Sequence, residues 1–202
     1  MQRDPDRLVL FTDAVVAIAV TLLILPLVDA VTASKAAGDD PVHVITDHQA
    51  EIYSFLLSFV VIARFWLAHH RVFEHVRAYN TRLIQLNMLW LLTVVVLPFP
   101  TEIVGAYNSS RFTASVYIGT ILALSICQTG LTLLIRDHEE LEQMDNPVTA
   151  GELAGSITAT VLLAVAFALA ALVPGVTFYA LLLLFLSPLI ATIWEKRQEK
   201  IA

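Results

Sequence analysis

The sequence predicts an all-α integral membrane subunit of six transmembrane helices, with both termini on the cytoplasmic side. Three observations carry this. Hydrophobic residues make up 57% of the 202-residue chain and charged residues only 15%, against about 25% charge in an average soluble domain. The mean hydropathy is +0.74. The apolar residues also gather into runs near the ~20 residues that a spanning helix requires. The same figures exclude a disordered chain, which needs low hydrophobicity and high charge. With 12 Lys+Arg against 18 Asp+Glu and a net charge of −6, there is no basic field to hold a nucleic acid.

The six runs are 8–28, 51–70, 83–99, 112–135, 153–173 and 176–194, and the whole chain, 1–202, reads as one six-helix unit. The first is framed by Arg3 and Arg7, and 31–33 (Val-Thr-Ala) has the small residues of a cleavage site. Asp4, Asp6 and Asp13 make a poor signal-peptide flank, so the run is expected to stay as a span. The connection 29–49 carries four aspartates besides Lys35, Gly38 and Pro41, and is expected to be a loop. Polar residues fill 69–82 between the second and third runs, and Pro98 and Pro100 are expected to end the third helix. The 100–111 connection holds Asn108, Ser109 and Ser110, and 137–145 is an acidic stretch expected to be a solvated loop. Val173-Pro174-Gly175 reads as a tight turn that folds the last two helices into a hairpin. In the fifth run Gly151, Gly155, Ser156, Thr160, Ala164 and Ala168 form a small-residue stripe suited to close helix approach.

Orientation follows from Lys and Arg alone. Ten of the twelve (Arg3, Arg7, Arg64, Arg71, Arg77, Arg82, Arg136, Lys196, Arg197 and Lys200) fall on the side of the termini, leaving Lys35 and Arg111 opposite. An even number of spans agrees with two cytoplasmic ends.

The polar residues inside the spans are few. Asp13 sits inside the first helix, where an unpaired carboxylate is expensive. At about 100° per residue, Ala14, Ile18, Thr21, Leu22 and Leu25 share one face and Asp13 lies opposite. Asp13 therefore faces other helices of its own chain. Trp66 and His70 are four apart on the second helix, share a face and both carry N–H donors. Topology brings them to the depth of Asp13, so an Arg7–Asp13–Trp66–His70 network is geometrically allowed. Arg7 and Asp13 are six apart, so their contact needs a bend or a neighbouring chain. His69 and His70 point about 100° apart and no third ligand is spaced with them, which argues against a metal site. Gln85 and Asn87 are expected to meet other helices, since an amide in hydrocarbon needs a partner. Cys127, alone in the chain, can form neither an intrachain disulfide nor a cysteine-based zinc site and reads as a small buried hydrophobe.

Arg7-x3-Phe11-Thr12-Asp13, followed by Ala17-Ile18-Ala19-x-Thr21-Leu22-Leu23-Ile24-Leu25, resembles the signature of the transmembrane protein 175 potassium-channel family. The likeness continues through Ser58-Phe59, Trp66 and His70, then Asn87 and Pro98-Phe99-Pro100. It covers the first half of the chain at three separate sites, and Thr12 stands where the family has serine. The resemblance implies a passive, potassium-selective leak channel in a bacterial plasma membrane. It implies a homotetramer in the lipid bilayer, with helix one of each subunit lining a central pore for monovalent cations. It places the selectivity filter in rings of bulky apolar side chains: Ile18 innermost, then Leu22 and Leu25, with Thr21 as the pore threonine. Arg7, Asp13, Trp66 and His70 would hold the helices in register. No cofactor is implied; potassium is only the permeant ion. The chain has no Thr-Val-Gly-Tyr-Gly filter, and Val104-Gly105-Ala106-Tyr107 lacks its first and last residues.

The alternative is a proton-conducting channel or proton-coupled transporter using Asp13, His69 and His70 as relay groups. Against coupling, no acidic residue lies at mid-membrane and no internal repeat is visible. An enzyme is disfavoured: there is no His-Glu-x-x-His or Gly-x-Ser-x-Gly motif, and no lysine lies within the six runs.

Overall fold

The computed structural model of the chain describes residues 5–107 and 110–173. The expected turn at Pro174-Gly175 and the expected sixth helix, 176–194, lie outside the described residues. Eight helices follow in order: α1 (Asp6–Leu22), α2 (Leu25–Ala37), α3 (Pro41–Asp47), α4 (Gln49–Phe73), α5 (Thr81–Val96), α6 (Pro98–Ala106), α7 (Arg111–Arg136) and α8 (Ala150–Leu172). They form five stretches long and apolar enough to cross a membrane, with α1–α2 and α5–α6 each counting as one.

Two expectations about helix ends are corrected, and proline explains both. The first helix does not stop at 28. Pro26 has no N–H to give the carbonyl of Leu22, so the chain tightens at Leu23 and Ile24, whose N–H groups donate to Val20 and Thr21. Pro26 is then accommodated in the first turn of α2, which runs on to Ala37 and stops at Gly38 in the left-handed region (φ 77°). Much of the expected 29–49 loop is thus helical, and α3 fills most of the rest. Likewise Pro98 and Pro100 bend the third span without ending it. Proline at the first helical position loses no bond, so α6 restarts at Pro98 and reaches Ala106.

α7 is the axle of the bundle. It packs on α4, α5, α6 and α8, while α1 packs on α4 and α5. Tyr117, Ile118, Ile121, Leu124, Leu131 and Ile135 of α7 are fully buried, with Trp90 of α5 and Ile62 of α4. Cys127 is buried among them as a free thiol. α7 meets α8 through a ladder of hydroxyls: Ser125 Oγ to Thr160 Oγ1 at 2.7 Å, Thr129 Oγ1 to Thr160 Oγ1 at 2.8 Å and Thr129 Oγ1 to Ser156 Oγ at 2.8 Å. The small-residue stripe supplies only the first half of this contact. Steps of four drift about 40° per turn, so Ala164 and Ala168 swing outward and are exposed, while Leu163, Ala166 and Ala170 take over the interface.

The 137–145 segment is more than a solvated loop. Its carboxylates at Asp137, Glu139, Glu140 and Asp145 are exposed, but Leu141 is buried. Its backbone docks on the α4–α5 connection through Arg77 N–H to Leu141 O (2.9 Å) and Gln143 N–H to His75 O (2.7 Å).

Close packing of α6 on α4 depends on Gly105. A methyl group there would sit 2.8 Å from Ser54 Oγ and 3.1 Å from Glu51 Cα. Gly105→Ala is expected to lower stability in detergent by about 1–3 kcal/mol. Gly155→Ala, where nothing lies within 4 Å of the added carbon, is expected to be neutral or mildly stabilising. Thermal melts of the two variants side by side check this; equal melting points would mean that the α4–α6 contact gives way freely.

Candidate functional site

α1 has two unlike faces. Thr12, Val16 and Ala19 are buried, and Leu23 continues their line at the break. On the other side Ile18 is 61% exposed and Leu25 50% exposed, with Thr21 and Leu22 exposed between them. The Thr21 hydroxyl donates to the Ile18 carbonyl at 2.7 Å, which leaves its lone pairs on the uncovered face. Asp29, one turn beyond Leu25 on α2, is exposed on the same side. Reading 29–49 as a loop hides this residue; once the helix continues past Pro26, its phase places it.

Behind that face, Trp66 Nε1–H donates to Asp13 Oδ1 at 2.8 Å. The other two members of the expected network do not join by hydrogen bonds. The His70 ring lies against Trp66, centroids 5.8 Å apart, and its Nε2 turns toward Glu74 Oε1 at 4.0 Å. Arg7 is exposed and makes no ion pair with Asp13 among the described residues. Gln85 is exposed on α5 and meets no other helix by hydrogen bond among the described residues, unlike its neighbour Asn87.

Asn87 belongs to a buried chain that ties three spans together. Its Nδ2 donates to Thr12 Oγ1 (2.9 Å), and Thr12 donates in turn to the Leu8 carbonyl (2.9 Å). Asn87 Oδ1 is then the acceptor at 2.7 Å from His69 Nε2, which fixes a proton on that nitrogen. The ring of His69 is held between Phe73 and Trp90, both with centroids at 4.3 Å, and its Nδ1 is buried with no partner. Pairing Trp66 with His70 overlooks His69. The signal for it is the buried stripe Ser58, Ile62, His69 and Phe73 on α4, whose helical spacing carries His69 inward. A second buried cluster joins α4, α6 and α7: Ser58 Oγ lies 2.7 Å from Thr101 Oγ1 and 3.0 Å from Tyr117 OH.

The Asp13–Trp66 bond is testable by a double-mutant cycle. Asp13→Ala and Trp66→Phe are each expected to weaken the fold, with a coupling on the order of 1 kcal/mol. Denaturation in detergent measures it, and strictly additive losses would remove the bond from the register.

An all-α bundle of apolar spans, pinned by buried polar pairs and turning one helix face outward, defines a multi-pass membrane protein. Residues 7–98 match the family described as endosomal/lysosomal potassium channel TMEM175, a stretch that contains every α1, α4 and α5 residue singled out above. Over that stretch, just under half of the chain, the sequence is similar to this family of ion channels. It is 33% identical over 133 residues to a potassium channel of Streptomyces collinus, covering 63% of each chain. It is 34% identical over 138 residues to a potassium channel of Chamaesiphon minutus, covering 62% of this chain and 63% of that one. These alignments span less than two thirds of the relatives' own length. The human endosomal/lysosomal proton channel TMEM175 is 23% identical over 123 residues, 61% of this chain and 24% of that one. The crystal structure of a lysosomal potassium-selective channel TMEM175 homolog from Chamaesiphon minutus superposes with a TM-score of 0.67 at 27% identity, covering 95% of this chain and 96% of that one.

Proposed function

We propose that the chain is one subunit of a potassium-selective leak channel, a homotetramer in the plasma membrane with cytoplasmic termini and a central pore lined by α1. The observation that carries this is the uncovered face of α1, where Ile18, Thr21, Leu22 and Leu25 stand exposed while the other side of the helix is packed. Facing lipid, that surface would set the Asp29 carboxylate against hydrocarbon or its edge, a costly arrangement, and leave the Thr21 lone pairs unused. Facing a shared axis, the same groups meet water and cations. Being named potassium channels, the Streptomyces and Chamaesiphon relatives support the choice of ion.

In this reading four Ile18 side chains form the narrowest ring, with Leu22 and Leu25 rings in series. Such rings gate by dewetting, and an ion passes when the ring widens enough to admit it partly hydrated. Potassium, larger and more weakly hydrated than sodium, gives up water at lower cost. Thr21 offers oxygen lone pairs between the rings, and four Asp29 carboxylates raise the local cation concentration at one mouth. Asp13–Trp66 and Thr12–Asn87–His69 keep α1 in register, and Arg7 is left to act between subunits.

The test is a reversal potential: purified protein in a planar bilayer, potassium on one side and sodium on the other. A potassium-favouring current is expected. One specific observation favours a second reading: the human relative is named a proton channel, and two ionisable groups sit between spans here, Asp13 on the α1–α4 contact and His69 on the α4–α5 contact. Intact tetramers that pass no potassium but dissipate a pH gradient would put the proton reading first.

A further inference from the structure

A cavity of about 630 Å³ lies between α4 and α8, with α7 as its floor. Its deep end is apolar, lined by Phe59, Ile121 and Leu163. Toward the C-terminal end of α4 it is lined by Arg64 and Arg71. The two arginines are seven residues apart, so they lie on one face, about 10.5 Å from each other along the helix. Neither makes an ion pair among the described residues, and Arg64 sits two turns inside the span. A guanidinium at that depth needs a counter-charge. The carboxylate in the cavity, Glu152, is already engaged: Oε1 lies 3.2 Å from His75 Nε2, and Oε2 accepts from Thr149 N–H and Oγ1–H, both at 2.8 Å.

Gln128 of α7 supplies an independent observation. It lines the same cavity, is only 5% exposed, and neither its Nε2 nor its Oε1 has a partner among the described residues. A buried amide with both ends unsatisfied is costly, and few native groups are left so. The cavity thus combines two uncompensated cations, one orphaned donor–acceptor pair and an apolar slot that opens between lipid-facing helices.

We infer that this groove binds one anionic glycerophospholipid from the leaflet at the C-terminal end of α4. The phosphate sits between Arg64 and Arg71, Gln128 Nε2 donates to a glycerol-ester carbonyl, and one acyl chain lies along Phe59, Val60 and Ala63. A zwitterionic lipid fits less well, because its amine brings a positive charge to a pair of arginines.

Native mass spectrometry of the purified protein with phosphatidylglycerol or phosphatidylcholine of identical chains tests this. Wild-type protein is expected to hold phosphatidylglycerol tighter by on the order of tenfold. The preference is expected to vanish in the Arg64→Gln/Arg71→Gln variant and to persist in Arg111→Gln, which lies far from the cavity. Gln128→Leu is expected to weaken both lipids alike. Soluble glycerol phosphate, carrying the charge without the chains, is expected not to compete. Equal binding of the two lipids by wild-type protein overturns the inference without recourse to any variant. So does a cysteine placed at 60, an exposed position of the lining, that cross-links to another part of the protein, since protein would then fill the groove.

Discussion

Replacing Ile18 with asparagine is expected to raise the current and to collapse the preference for potassium over sodium. An isoleucine ring blocks by excluding water, and each buried isoleucine contributes about 1.5–3 kcal/mol of apolar transfer free energy. In the proposed tetramer asparagine would remove that term from four subunits at once and add an amide that hydrates the ring. A fall of only about 1.4 kcal/mol in the barrier is a tenfold rise in rate. Water then enters with the ion, and the dehydration difference that favours potassium is no longer sampled. The reversal potential between potassium and sodium solutions is expected to move toward zero. Leu25→Asn lies beyond the break at Leu23 and Ile24 and is expected to act in the same direction but less strongly. If Ile18→Asn leaves current and ion preference unchanged in an assembled protein, Ile18 is not in the filter.

Asn87→Ala is expected to be the most damaging substitution away from that face. It deletes the link from His69 to Thr12 and leaves the His69 ring, fully buried, with neither nitrogen satisfied. The lost bonds, the stranded imidazole and the small cavity together are expected to cost about 2–4 kcal/mol. Gln85→Ala, two residues away but exposed, is expected to change stability by less than about 0.5 kcal/mol. The paired replacement Asn87→Leu/His69→Phe is expected to recover most of the loss, because removing both partners strands no polar group. Melts of these three variants and the unsubstituted protein in detergent give the answer. A paired variant as unstable as Asn87→Ala would mean that the network contributes through shape and not through its bonds.

How much of this was legible in the sequence depends on the kind of signal. The described spans were legible from run length, and the inward facing of Asp13 was legible from helical phase. Its partner Trp66 was legible from depth, because few donors sit at that level. His69 was not, because a donor beside another donor looks interchangeable until the packing stripe on α4 chooses between them. The helical continuation past Pro26 and Pro98 was missed for a different reason. Proline is read as a stop, yet at the first turn of a new helix it gives up no bond, and the axis carries on. The α8 stripe failed through arithmetic: an interval of four is close to a helical turn but not equal to it, and the error accumulates along the helix. No pattern in the sequence marks Gln128 as unsatisfied, since only the geometry of its neighbours reveals it.

The hydroxyl ladder between α7 and α8 also bears on biogenesis. α7 emerges from the ribosome carrying Ser125, Gln128, Thr129 and Thr132 in a single span, all of them buried once the bundle is complete. Hydrocarbon offers those groups no partners. Ser156 and Thr160, which later engage Ser125 and Thr129, belong to the next span to be synthesised, just beyond the 137–149 connection. The hairpin, and not the single helix, is therefore the unit suited to leave the insertion machinery for the bilayer. The most deeply packed of the described helices waits for its successor before it can be released into lipid.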